Sequence, residues 1–169
     1  MILYKGKYLD LMEEDRWEYV RRTNCSGIVV IVPVTKEGKA VFVEQFRRPV
    51  RANVIEWPAG LVNDKTAQDA ETMEAAARRE LLEETGYEAG KLEWITEGPV
   101  SSGLSSEILT FYAATGLVKK HSGGGDESEA ITVHEVPLTE AEVWLGTMTQ
   151  KGFLVDPKVY VGLYFLKAG

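Results

Sequence analysis

Glu80, Glu83 and Glu84 place three carboxylates within five residues, and these are the side chains best suited to chemistry. On a helix, Glu80 and Glu84 stand at i, i+4 and Glu80 and Glu83 at i, i+3, so all three crowd one side of the last turns. Like charges so placed repel, and the negative end of the helix dipole disfavours them further. A divalent cation such as Mg2+ or Mn2+ offsets that charge through the oxygen ligands it prefers. Two blander readings use the same residues: Arg79 can pair with Glu83 four positions on, and a Glu-rich helix end suits a solvated face.

The elements around these carboxylates follow from periodicity. Residues 67–85 read as a helix rich in Ala, Glu, Arg and Leu, with Met73, Ala77 and Leu81 as its apolar row and Gly86 as its C-cap. Residues 140–150 read as a second helix, opened by a capping box of Thr139 and Glu142. A third starts at Asp156 as N-cap, with Pro157 in the first helical position. Strands are expected at 2–10, 16–23, 27–34, 39–46, 92–98, 108–115 and 130–137, with a turn at Lys36-Glu37-Gly38. Many strands and few helices suggest a mixed sheet with helices on both faces. The segment 121–129 (HSGGGDESE) is polar and glycine-rich, either a surface loop or a mobile one that delivers carboxylates to a site.

Composition bounds the rest. A chain of 169 residues, 44% apolar and 27% charged, is one ordinary globular domain with a small extension at most. A formal charge of −7 argues against a nucleic-acid partner and against docking on an anionic membrane. The single cysteine, Cys25, allows neither an intrachain disulfide nor a Cys-based zinc site. The longest apolar run, residues 28–34, is far short of a membrane span, and the first ten residues carry no signal-peptide pattern. A cytoplasmic protein is expected.

With Glu71 eight residues before Arg79, the run Arg79-Glu80-Leu81-Leu82-Glu83-Glu84-Thr85-Gly86-Tyr87 resembles the Nudix hydrolase signature, G-x5-E-x7-R-E-U-x-E-E-x-G-U, where U is aliphatic or aromatic. Glu71, Arg79, Glu80, Leu81, Glu83, Glu84, Gly86 and Tyr87 match in register. The signature's leading glycine falls on Lys65, whereas the glycine of Pro58-Ala59-Gly60 lies five residues earlier, so the loop before the helix is longer than the pattern. Glu56-Trp57-Pro58-Ala59-Gly60, Glu44-Gln45-Phe46-Arg47, residues 101–107 and Glu127-Ser128-Glu129 resemble segments of the ADP-ribose and nucleoside diphosphate sugar pyrophosphatase branch. Ser102 stands where that branch usually has proline.

The resemblance implies an α/β fold, the Nudix α/β/α sandwich with a central mixed β-sheet and an N-terminal β extension. Residues 1–24 would be that extension, in contact with a second copy in a homodimer, and residues 25–169 the hydrolase domain. It implies Mg2+, or Mn2+, held by Glu80, Glu83, Glu84 and the Ala59 carbonyl, with Glu129 as a further ligand. Arg79 and Glu71 would orient these carboxylates, and Glu127, or else Glu129, would be the general base. Arg47, Arg21 and Arg22 would meet phosphate or nucleotide, Trp17 and Tyr19 would stack on a base, and Glu107 would join the substrate site. For Trp17 and Tyr19, burial in a sheet or subunit contact is the competing role. His121 and His134 are expected to be bystanders.

The implied reaction is hydrolysis of the diphosphate linkage of a small-molecule nucleoside diphosphate sugar. No enzyme nucleophile is needed, in keeping with the lack of a convincing Ser-His or Cys-His pair. Hydrolysis of oxidised nucleoside triphosphates and non-catalytic binding of ADP-ribose are the alternatives.

Overall fold

The structure is a computed structural model that describes residues 1–63, 71–125 and 130–168. The N-terminal segment forms an antiparallel sheet of β1 (Ile2–Lys5), β2 (Leu9–Glu14) and β3 (Trp17–Arg22), in that order. The expected strand over 2–10 is thus two strands. The Gly6 N–H donates to the Leu9 carbonyl at 2.9 Å, and that local bond turns the chain back on itself.

β4 (Gly27–Pro33) and β5 (Lys39–Arg47) form the centre. β4 and the Ala40–Val43 stretch of β5 are continuously apolar or nearly so because both of their faces are covered. Gly38 makes the turn between them, at φ +74°, and donates its N–H to the Thr35 carbonyl. One sheet has the order β7-β4-β10-β9, with β7 (Ala59–Val62), β9 (Lys91–Pro99) and β10 (Ile108–Thr115). Within it β4 and β10 run parallel and the other pairs antiparallel. The other has the order β12-β5-β6-β13, with β6 (Ala52–Glu56), β12 (Ile131–Pro137) and β13 (Leu154–Val155). A two-stranded ribbon, β8 (Tyr87–Glu88) with β11 (Val118–Lys119), lies beyond the first helix. β6 and β7 lie outside the expected strands, because Trp57-Pro58 breaks a run too short to show a period.

Alternation along β4 and β5 divides the interior in two. Val29, Ile31 and Val41 pack against Ala76, Ala77 and Leu81 of α1 (Met73–Thr85). Val30, Val32, Ala40 and Phe42 face the other way, toward Leu145 and Met148 of α2 (Ala141–Gln150) and Val159 and Leu163 of α3 (Pro157–Ala168). The sheets are therefore a middle layer between α1 on one side and α2 with α3 on the other. No helix among the described residues is long and apolar enough to cross a membrane.

Helix ends show where local signals prevailed. α1 begins at Met73, because the Thr72 hydroxyl accepts the Ala75 N–H at 3.1 Å and caps it. Glu71 is not helical: its N–H donates to Asn63 Oδ1 at 2.6 Å and its carboxylate faces Arg79. Gly86 ends the helix at φ +75°, donating to the Leu82 carbonyl, as expected of a C-cap. Asp156 caps α3, with Oδ1 accepting the Lys158 N–H at 2.8 Å. The capping box at Thr139 does not form. Leu138–Glu140 make a 3-10 turn instead, and Glu142 reaches across to the Lys167 ammonium of α3.

Candidate active site

The last turns of α1 meet the head of β7. Glu84 is 3% exposed, with one carboxylate oxygen accepting from Gln45 Nε2 at 3.2 Å and the other from the Ala59 N–H at 3.1 Å. Gln45 comes from β5, so the central strands fix this carboxylate directly. Ala59 and Gly60 lie in a regular strand rather than an irregular turn, paired with Val30 and Val29 of β4. Gly60 leaves room for Glu80: a Cβ there would lie 1.9 Å from the Glu80 Cδ.

Arg79 ties the carboxylates together. Its Nε and Nη2 grip Glu71 at 2.9 and 3.1 Å, and Nη2 also donates to the Leu61 carbonyl at 3.0 Å. Its Nη1 donates to Glu80 Oε1 at 2.6 Å and to Glu83 Oε2 at 3.4 Å. The bonds to Glu71, helped by the charge of Glu80, hold the guanidinium well above its usual pKa. Arg79 thus bridges Glu71 to Glu80 and Glu83.

These groups form one wall of a cavity of about 420 Å3, within the size range of small-ligand sites. Glu80, Glu83, Ala59 and Gly60 line that wall; Arg22, Arg47, Glu56, Glu107 and Lys158 line the rest, with Ile28, Val30, Val100 and Leu109 between them. Arg22 Nε donates to Glu107 at 2.8 Å, and Arg47 Nε to Glu56 at 2.6 Å. Neither guanidinium has a further protein partner among the described residues, so the Nη donors of both remain for a ligand. Burial pushes the Glu56 carboxyl above its usual pKa, opposed by the Arg47 charge.

The structure therefore gathers Arg22, Arg47, Glu107, Ala59, Glu80 and Glu83 at one cavity, with Glu84 directly behind. Arg21, on the same strand as Arg22, points away and bonds Asp10 at 3.0 Å. Trp17 is exposed and donates Nε1–H to the Gly103 carbonyl at 3.1 Å, and Tyr19 lies beside Met1 and Met12. Neither lines the cavity of its own chain. Glu127, Glu129 and Lys65 lie outside the described residues. His134 sits 2.9 Å from Glu44, and His121 Nδ1 accepts the Gly123 N–H. Sequence reasoning missed Lys158 and Gln45. Lys158 carries a weak signal as the only lysine in the first turn of α3, while Gln45 was visible only as part of a motif.

A NUDIX domain model matches residues 26–156, most of the chain and all of the cavity's carboxylates. The chain belongs to the Nudix family. It is 37% identical over 149 residues to the ADP-ribose pyrophosphatase of Bacillus subtilis strain 168, covering 82% of this chain and 76% of that one. It is 34% identical over 142 residues to the methanol dehydrogenase activator of Bacillus methanolicus, covering 83% and 72%. It is 32% identical over 149 residues to the GDP-mannose pyrophosphatase of Citrobacter koseri, covering 83% and 73%. The crystal structure of an ADP compounds hydrolase shares the fold, with a TM-score of 0.73 at 18% identity over 99% of this chain and 89% of that one. This Nudix protein is accordingly a hydrolase.

Nudix hydrolases generally need divalent metal ions. Among the described residues, no three His, Cys, Asp or Glu side chains already stand as a closed coordination shell. The donor set nonetheless fits a hard cation. One positive nitrogen, Arg79 Nη1, already draws an oxygen of Glu80 and one of Glu83, and the cradle over Gly60 admits the Glu80 carboxylate and nothing larger than hydrogen beneath it.

Proposed function

We propose that this Nudix hydrolase cleaves the diphosphate linkage of nucleoside diphosphate sugars, releasing a nucleoside monophosphate and a sugar phosphate. ADP-ribose would give AMP and ribose 5-phosphate; GDP-mannose would give GMP and mannose 1-phosphate. The observation that carries this reading is the gathering of carboxylates and cations in the lining of one cavity. Glu80 and Glu83 come to it from α1, and Arg22, Arg47 and Lys158 from β3, β5 and α3.

Three cationic side chains line the cavity against four carboxylates, Glu56, Glu80, Glu83 and Glu107. A diphosphate adds negative charge to a lining that is already net acidic. Positive charge from outside the chain would offset it, and Mg2+, with Mn2+ as its substitute, is the fitting source. Glu80, Glu83, Glu84 and the Ala59 carbonyl would hold it, with Glu129 as a further ligand. Once bound, it would neutralise the diphosphate and lower the pKa of a water molecule.

The chain's own residues do the rest. The Nη donors of Arg22 and Arg47 offer the paired geometry that suits phosphate oxygens, and the Lys158 ammonium, held in an ion pair by Asp156, adds a point charge. Arg79 keeps Glu80 and Glu83 aimed at the cavity. Water attacks one phosphorus, its proton passes to Glu127 (Glu129 being the second choice), and the bridging P–O bond breaks toward the leaving phosphate. A second recess of about 440 Å3 shares Val100, Leu109 and Lys158 with the first and is lined by Phe111, Pro157 and Val161. It offers apolar ground to the uncharged part of the substrate.

Residues 1–24 are assigned to a homodimer contact, with residues 25–169 as the hydrolase domain. The exposed Ile2, Leu3, Tyr4, Tyr8, Leu9 and Trp17 on that first sheet favour this. Across such a contact Arg21, Trp17 and Tyr19 would serve a neighbouring cavity. A cytoplasmic location suits both the substrate class and the lone Cys25.

The test is product formation from ADP-ribose, GDP-mannose, UDP-glucose and 8-oxo-dGTP at equal concentration with Mg2+, and with EDTA as control. Metal-dependent release of monophosphate from the sugar nucleotides supports the proposal. Turnover of the triphosphate alone would assign the chain to nucleotide house-cleaning, and binding without any turnover would make it a sensor.

A further inference from the structure

The last turn of α1 is held from outside the helix, by a glycine-rich strap over residues 120–125. A helix leaves its final four carbonyls without internal partners. Here Gly86 takes the Leu82 carbonyl, the Gly125 N–H reaches the Glu83 carbonyl at 3.2 Å, and the Gly124 N–H reaches the Glu84 carbonyl at 2.9 Å. The Lys120 N–H adds a bond to the Gly86 carbonyl at 2.8 Å. Glu83 and Glu84, whose carbonyls the strap grips, are two of the three α1 glutamates whose side chains are assigned to the metal. The last turn carries no basic side chain, so backbone N–H dipoles supply the positive charge that usually comes from Lys or Arg.

The contact has no space for side chains. A Cβ on Gly123 would lie 2.5 Å from the Glu84 carbonyl oxygen and 2.5 Å from the Thr85 carbonyl carbon. A Cβ on Gly86 would lie 2.0 Å from the His121 carbonyl oxygen. Both clashes are with backbone, which cannot swing aside as a side chain can. Gly86 belongs to the Nudix signature; Gly123 does not.

We propose that residues 120–125 act as a positioning clamp, in which Gly123 lets the strap seat on the end of α1 and so fixes Glu83 and Glu84 for the cation. The clamp rests on the assignment of those glutamates to the metal. Gly123 touches no reacting atom; it acts through the helix end.

Gly38 provides a matched control. It has the same left-handed backbone, φ +74° against +74° at Gly123, but a Cβ there meets nothing within 4 Å. Gly38→Ala and Gly123→Ala therefore impose similar backbone strain, and only the second wedges the strap off the helix. The probe is Mn2+, titrated against each protein without substrate and followed by the electron paramagnetic resonance of the free ion. We expect wild type and Gly38→Ala to bind alike, Glu84→Gln to lose binding, and Gly123→Ala to bind about 10-fold more weakly, the lower end of what disturbing a ligand's support costs. Equal binding by Gly123→Ala and Gly38→Ala would overturn the clamp alone. Failure of wild type to bind Mn2+ would overturn the metal assignment and the clamp with it. Should Gly123→Ala not fold, amide hydrogen exchange of the wild-type protein decides. Gly124 and Gly125 amides as slow as those of the last turn of α1 support the clamp, and amides as fast as those of the exposed residues 101–103 would refute it.

Discussion

The two walls of the cavity are built on opposite terms. On the α1 wall, Arg79 engages Glu71, Glu80, Glu83 and the Leu61 carbonyl, while Gln45 and the Ala59 N–H each bond one oxygen of Glu84. In the rest of the lining, the receiving wall, Arg22 and Arg47 each spend a single donor on one carboxylate. A guanidinium with its donors committed is a scaffold; one held only by Nε is anchored at the root and free at the tip. The contrast separates residues that hold geometry from residues that receive a ligand. It also says which kinetic quantity each should control.

The largest effect is expected where the scaffold meets the cation. Glu84→Gln keeps the shape of a buried side chain but removes its charge. Loss of several kcal/mol of charge stabilisation corresponds to about a 10^3-fold fall in kcat. Steady-state kinetics on the best sugar nucleotide, with circular dichroism as a folding check, measures it; a fall of less than tenfold would break the assignment of this wall. Arg79→Lys comes next. Lysine retains one charge but cannot span Glu71, Glu80 and Glu83 at once. The Mg2+ concentration for half-maximal rate should rise about 10- to 100-fold, as when a ligand's orienting partner is lost. A shift in KM for the sugar nucleotide at saturating Mg2+, with the metal requirement unchanged, would instead place Arg79 on the receiving side.

The receiving wall predicts a different signature. Arg47→Ala should lower kcat/KM about tenfold through loss of a charge-assisted bond, with the Mg2+ requirement unchanged. It should also alter stability with pH in a defined direction. Burial raises the Glu56 carboxyl above its usual 4.5, and Arg47 pulls it back down. A carboxyl raised by folding holds its proton more tightly folded than unfolded, so stability falls as pH climbs from 4.5 through the raised value. Without Arg47 that interval widens upward. Thermal unfolding of Arg47→Ala should thus lose midpoint with rising pH more steeply than wild type, while the two differ least below pH 4.5. Equal slopes would show that Arg47 does not balance the Glu56 charge.

The sequence disclosed the scaffold wall better than the receiving one, for a physical reason. Glu71, Arg79, Glu80, Glu83, Glu84 and Gly86 lie on or beside one helix, and fixed local spacing converts directly into fixed geometry. The β-branched runs that became β4 and β5 were legible for the same reason, as was Asp156 at the start of α3. The receiving wall is assembled from β3, β5, β6, β10 and α3, and no local spacing joins Lys158 to Arg22. Thr139 shows the reverse failure. The capping box is not made there: Leu138–Glu140 form a 3-10 turn, and Glu142 pairs with Lys167, 25 residues away.

The smallest expected effect tests where the receiving wall ends. Arg21 and Arg22 are neighbours on β3, so alternation sends their side chains to opposite faces. Arg22 meets Glu107 in the cavity, and Arg21 meets the buried Asp10 away from it. Arg22→Ala should therefore lower kcat/KM as Arg47→Ala does. Arg21→Ala should cost about 1–3 kcal/mol of stability, because it takes from the buried Asp10 carboxylate its charged partner, and leave kcat/KM within about twofold. That holds if each chain completes its own cavity. If the homodimer contact brings Arg21 to a neighbouring cavity, Arg21→Ala loses activity instead, and wild-type specific activity falls on dilution below the dissociation constant. Kinetics at two protein concentrations, with sedimentation at the same concentrations, distinguish a receiving wall built from one chain from one built from two.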